Sequence, residues 1–254
     1  MKKLFLILTG MLLPLLFSIN AATAALTVYT EEFPPFQYKE NDKIIGASAE
    51  VVEAVLKSTG LDFEIASYPW ARSYQLVQEK ADSLIFSMSR QEKREALFKW
   101  IGIIVPSRYS VFALQERSDL QIGSLEDMKK YKIGTTLSDA RESYLESKGF
   151  DLGTFDRTSG DNANLSNYKK LKAKRIDLWP MPDAVAFHIA KSAGDDPGTL
   201  LRRALPLTEI STGGYYLAAS LQTSDDTVKT IRTVLENFVK TDEYKAILAK
   251  WGIE

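Results

Sequence analysis

The sequence predicts an α/β protein of two lobes, each a mostly parallel sheet flanked by helices, with two crossing strands as the hinge. Strand-like and helix-like segments alternate along the chain in two separate series. Two long extended runs, 109–114 and 213–219, mark the passages between the series. Alternation on this spacing is how parallel strands are joined through helices into an open sheet. The expected division is residues 25–113 with 211–254 for the first lobe and 114–210 for the second.

In the first series, Leu26-Thr27-Val28-Tyr29-Thr30 reads as a strand that runs into Glu31-Glu32-Phe33-Pro34-Pro35-Phe36, where paired prolines forbid regular structure. Ser48 is the expected cap of a helix that places Val51, Val52, Val55 and Leu56 on one face and that Gly60 closes. Residues 62–66 read as a strand, 71–79 as a helix and 82–87 as a strand, and 105–115 is rich in β-formers. The second series opens at Ser124-Leu125-Glu126-Asp127, which has the form of a capping box. Strands follow at 131–135, 155–159 and 175–180, with helices from Asp139 to about Gly149 and over 165–174. A helix-like stretch covers 184–191, and after the second extended run come helices at 225–239 and 242–251.

The N-terminus reads as a secretory signal: Lys2 and Lys3, an apolar run from Leu4 to Phe17, then Ala22-Thr23-Ala24 as a cleavage site. The run is shorter than the roughly 20 residues of a membrane span and contains Pro14. Residues 1–24 are therefore expected to be removed. The chain has no cysteine, which excludes disulfides, thiolate sites and a lipidated anchor. An exported, untethered chain points to the periplasm. Cleavage takes away Lys2 and Lys3 and no acid, leaving 30 basic residues against 33 acidic. With no basic excess or block there is no footprint for nucleic acid. His188 is the sole histidine, so His-rich metal sites are excluded, and it lies in a helix-like stretch. No metal or cofactor is expected.

One octapeptide carries chemistry. Ser87-Met88-Ser89-Arg90-Gln91-Glu92-Lys93-Arg94 follows the apolar Leu84-Ile85-Phe86. Serine hydroxyls and loop N–H groups beside an arginine suit a carboxylate, which a guanidinium grips through both oxygens. The same eight residues also fit an ordinary strand-to-helix turn with a solvated arginine. In open α/β sheets the ligand crevice lies beyond the carboxyl ends of strands. This turn and the loop at 137–141 both follow strands in that sense, as facing walls of a cleft.

Taken with the marks around it, the chain resembles the bacterial extracellular solute-binding proteins of family 3, the polar amino acid class with the type II periplasmic binding fold. The marks are Phe33-Pro34-Pro35-Phe36, Gly46, Pro69-Trp70, Ala81-Asp82 and the Ser87-x-Ser89-x-x-x-x-Arg94 turn. They continue with Tyr131-Lys132-Ile133-Gly134, Arg175-Ile176-Asp177-Leu178, Gly213-Gly214-Tyr215 and Lys250-Trp251-Gly252. The resemblance implies that Arg94 holds a ligand carboxylate, with Ser87 and Ser89 as polar neighbours, Phe33 packing on the ligand side chain and Trp70 lining the wall. It implies that 138–141, from Ser138 to Arg141, form a helix start whose free N–H groups reach the carboxylate on closure.

The chain departs from the family pattern at two places. Gly46-Ala47-Ser48 lacks the acid common after the first-helix glycine, and Pro182 stands where the ammonium-binding acid is expected. Asp183 either supplies that acid or caps the following helix. Arg72 reads as a cleft cation or a solvated one, Trp179 as second-lobe wall or core, and Tyr215 as packing. The implied function is a monomeric periplasmic receptor that closes on a small carboxylate, most simply an amino acid, for an ABC transporter permease, and not an enzyme. Alternatives are a cyclohexadienyl dehydratase-like enzyme using Glu31, Glu32 or Asp183, or a sensor acting on a signalling partner.

Overall fold

The computed structural model describes residues 25–210 and 213–253; the leader read at 1–24 lies outside them. Strand β1 (Leu26–Thr30) leads through the diproline turn to a small hairpin, β2 (Tyr38–Glu40) and β3 (Lys43–Ile45). Helix α1 (Ala47–Thr59) buries Val51, Val52, Val55 and Leu56 completely and ends at Gly60 in the left-handed conformation, as the pattern predicts. Its start differs from the expectation. Gly46, not Ser48, is the cap, and a Cβ there would lie 2.4 Å from the Phe36 carbonyl oxygen. That close approach brings the helix against the diproline turn, and Ser48 becomes a buried residue inside the first turn.

Then come β4 (Phe63–Ser67), α2 (Trp70–Glu79), β5 (Ser83–Ser89), a 3-10 turn at Glu92–Leu97 and β6 (Phe98–Val105). The chain crosses over and continues with β7 (Tyr109–Leu114), α3 (Leu125–Met128), β8 (Gly134–Thr136), α4 (Ala140–Ser147) and β9 (Asp156–Thr158). Next are α5 (Ala163–Lys172), β10 (Trp179–Pro182), α6 (Asp183–Ser192), α7 (Pro197–Leu200) and β11 (Leu201–Pro206). The return is β12 (Tyr215–Ser220), α8 (Asp225–Phe238) and α9 (Asp242–Trp251). In α8 the Ser224 hydroxyl caps the Thr227 N–H, and Val228, Ile231, Leu235 and Phe238 form the buried stripe of an amphipathic helix.

The first sheet has the order β4-β1-β5-β12-β6. Strands β4 and β5 run parallel to β1, and β12 runs antiparallel to both β5 and β6. The second sheet has β7 between β10 and β11, antiparallel to each. A parallel bridge between Ile133 and Leu178 joins the β8–β9 pair to its β10 edge. Read that way, the second lobe repeats the first: three parallel strands, then a crossing strand, then an antiparallel edge. By its hydrogen bonds Tyr109–Leu114 belongs to the second sheet.

The cores sit on the sheet faces. Trp179 is fully buried against Phe112 and Tyr168, so it is core and not cleft wall. Arg72 is exposed on α2. Among the described residues no helix is long and apolar enough to cross a membrane.

Candidate functional site

The site forms where the ends of β1 and β5 meet the start of α4. Strand β5 is bulged against β12 between the Met88–Tyr216 and Ile85–Ala218 pairs. At the bulge Ser87 takes the left-handed conformation, φ 59°, unfavourable for a residue with a Cβ. Its buried hydroxyl donates to Gln37 Oε1 at 2.6 Å. A serine has one proton to give, so Ser87 is spent on holding the diproline turn and has none for a ligand. Ser89 shares a 2.8 Å hydrogen bond with the Tyr109 hydroxyl, tying β5 to the first residue of β7.

Arg94 projects from the 3-10 turn and is 1% exposed. Its guanidinium lies 5.5 Å from the centre of the Trp70 ring and 5.2 Å from that of Tyr74. Its Nη1 donates to the Ser89 carbonyl at 3.2 Å, while its Nε has no partner. No carboxylate of the described residues forms an ion pair with it. Burial lowers its pKa, yet an arginine remains charged in a protein. A desolvated cation whose company is aromatic faces, one carbonyl and the Tyr74 hydroxyl, with no counter-ion among the described residues, is costly, and an anion would relieve that cost.

The opposite wall is built differently from the expectation. Asp139 caps α4: its Oδ1 accepts from the N–H groups of Arg141 and Glu142 at 2.8 and 3.0 Å, and its Oδ2 accepts from the Arg141 guanidinium. A carboxylate from the chain itself thus occupies the helix start that sequence reasoning offered to the ligand. Arg141, 4% exposed, is held further by Asn164 Oδ1 at 3.2 Å and by Met181 Sδ. Ser138 sits at the seam between lobes. Its carbonyl accepts from Trp70 Nε1 at 3.2 Å, and its N–H donates to Glu142.

Of the predicted site residues, Phe33, Trp70, Ser87, Ser89, Arg94 and Arg141 surround one cavity. Asp183 stands apart. It opens α6, ion-pairs with Arg203 at 2.6 Å, and faces a pocket beside the crossing segments with Ser107 and Leu207. Its backbone N–H bonds the Arg108 carbonyl, which ties the start of α6 to the crossing segment. Tyr109, which no motif marks, and Tyr215, expected as packing, both line the cavity, as does Glu31. The Tyr215 ring packs edge-on against Phe33 and Tyr109. Their positions at the first residue of each crossing strand were the available signal.

Burial raises the Glu31 carboxyl to about 8; Asp139 and Glu32 push the same way, against Arg141 and Arg94. The cavity itself is small, about 20 Å³ for the centre of a water-sized sphere, room for roughly one water. The lobes are drawn together. Besides the Trp70–Ser138 bond, Gln91 Nε2 donates to the Ala140 and Ile210 carbonyls, and Lys93 pairs with Glu146. Among the described residues no group of three or more acids, histidines or cysteines could hold a metal.

Two α/β lobes of this topology, closed on a buried arginine, define a binding protein of the type II periplasmic fold. Residues 26–254 match the bacterial extracellular solute-binding proteins, family 3, and the chain belongs to that family. It is 25% identical over 173 residues to the arginine-binding extracellular protein ArtP of Bacillus subtilis (strain 168), a match covering 67% of this chain. That match spans 65% of ArtP's length. An ancestral arginine-binding protein bound to arginine superposes with a TM-score of 0.76 at 23% identity, covering 91% of this chain and 99% of that one. A histidine kinase sensor domain with similarity to periplasmic binding proteins gives 0.78 at 18% identity, covering 91% and 96%.

Proposed function

We propose that this protein is a periplasmic receptor, released from a cleaved leader, that captures an amino acid by its carboxylate on Arg94 and hands it to an ABC transporter. The observation that carries this reading is Arg94 itself: almost fully buried, charged, and without a counter-ion among the described residues. A ligand carboxylate supplies the missing charge and the partner for Nε. The arginine ligands of ArtP and of the ancestral protein support the amino acid class. They do not transfer as arginine specificity, since Asp183 lies outside the Arg94 cavity and Asp139 is committed to Arg141.

The small cavity implies that the ligand enters an open form. The lobes then close about the crossing segments, at 106–108 on the way out and at 207–210 and 213–214 on the return, a boundary that the pairing of β7 favours over one at 113. Contacts across the cleft form only on closure, so the ligand shifts the population toward the closed state.

The test is a thermal-shift screen of the mature protein against the amino acids and small carboxylates, followed by calorimetry. Arg94→Ala is expected to lower the affinity of the best ligand by at least about one to two decades, through loss of a desolvated charge pair. Unchanged affinity in a folded Arg94→Ala protein would sink the assignment.

A further inference from the structure

We propose that Glu31 is the acceptor of the ligand's ammonium group, in place of the acid that Asp183 was expected to supply; this rests on the reading of Arg94 as the carboxylate anchor.

The acids near the site differ in what each already holds. Asp183 lies outside the cavity that holds Arg94: its Oδ2 pairs with Arg203, and its Oδ1, buried without a partner, belongs to the pocket beside the crossing segments. Asp139 does face the cavity, but it receives two backbone N–H groups and the Arg141 guanidinium, so its lone pairs are used. Glu32 accepts from the Lys39 N–H at 3.1 Å and from the Ser67 hydroxyl, and it is not part of the cavity wall. Glu31 is the remaining acid. It lines the same cavity as Arg94, and no hydrogen bond or ion pair engages its carboxyl among the described residues. The cavity therefore presents one unpaired cationic group and one unpaired acidic group, and the cation is almost fully buried. A zwitterion brings a complementary charge to each.

The electrostatics of the wall agree. Glu31 faces Arg141 and Asp139 from the start of α4, Arg94 from the 3-10 turn, and Glu32 beside it on its own segment. Some of its surface remains accessible, yet burial outweighs the two arginines and keeps the carboxyl protonated at neutral pH. An ammonium group placed beside it would reverse that balance by stabilising the ionised form. A ligand lacking the ammonium would leave the carboxyl neutral and the pocket half-matched. Sites that hold a polar ligand group strongly reject the analogue lacking it.

The test uses matched ligands on the full mature protein. Each of the twenty amino acids that raises the melting temperature is titrated by calorimetry beside the same acid without its α-amino group, such as glutaramate for glutamine. The wild type is expected to prefer the amino acid by at least about tenfold. In Glu31→Gln that preference is expected to collapse toward unity, and a cooperative thermal transition with a wild-type far-ultraviolet circular dichroism spectrum reports that the variant is folded. An undiminished preference in Glu31→Gln overturns the proposal, as does a wild type that binds no amino acid or prefers the deaminated acids. Failure of the Arg94 reading is seen separately, as Arg94→Ala binding the deaminated acids as tightly as the wild type does.

Discussion

Ser87 shows how much of this site is scaffold. Its hydroxyl is committed to Gln37 and its backbone to a left-handed conformation, and both features serve to hold the diproline turn beside the bulge of β5. Alanine there would keep the backbone strain and orphan the buried Gln37 oxygen, a loss of about 1–3 kcal/mol. Glycine would orphan the same oxygen but relieve the strain. Urea unfolding is therefore expected to rank wild type above Ser87→Gly and Ser87→Gly above Ser87→Ala; the opposite order of the two variants would show that φ carries no cost here. The sequence suggested donors at Ser87 and Ser89 because a hydroxyl beside an arginine is chemically apt for a carboxylate. Which partner a hydroxyl finds depends on Gln37, fifty residues away, and on Tyr109 across the crossover. Spacing along the chain carries no trace of either.

The start of α4 is the element on which expectation and structure part most clearly. The position of the helix was legible, since Asp139 is a good cap before a run that Gly149 ends. Its consequence was not: a cap strong enough to fix the helix also fills the anion site at its end. Asp139→Ala is expected to cost on the order of 1–2 kcal/mol in urea unfolding. Asp139→Ser, which keeps a capping oxygen, should recover most of it, and equal losses in the two variants would assign the effect to Arg141 instead. The longer elements were legible because their apolar period is strong, as in α1 and α8. Strand β6, the β2–β3 hairpin and β11 were not read. The hairpin has two three-residue strands, half of whose residues are charged, and β11 carries Arg202, Arg203 and a closing proline. Asp183 was placed within one residue in sequence, but that one residue turned its side chain from the cleft to Arg203.

The proposed closure of the lobes would be linked to the protonation of Glu31. The carboxyl sits at about 8 in the closed form, above the 4.5 of an ordinary glutamate in water. The closed form therefore binds the extra proton more tightly than an open, solvated one. Its advantage is full below about 4.5 and is lost as pH rises through about 8. Small-angle scattering of the ligand-free protein is expected to show a larger radius of gyration at high pH than at low pH, with the difference reduced in Glu31→Gln. A pH-independent radius in the wild type would refute the link. The sheet order has a different consequence, for the birth of the protein. Strand β12 lies inside the first sheet, between β5 and β6, yet the chain reaches it only after the whole second lobe. The second lobe is one continuous stretch, so all its strands are present before the chain returns to the first. The first must wait, with β5 and β6 unpaired on their inner edges, until residues 215–220 arrive. Tyr215 comes with them, so the last strand to be synthesised also brings the final wall of the binding cavity.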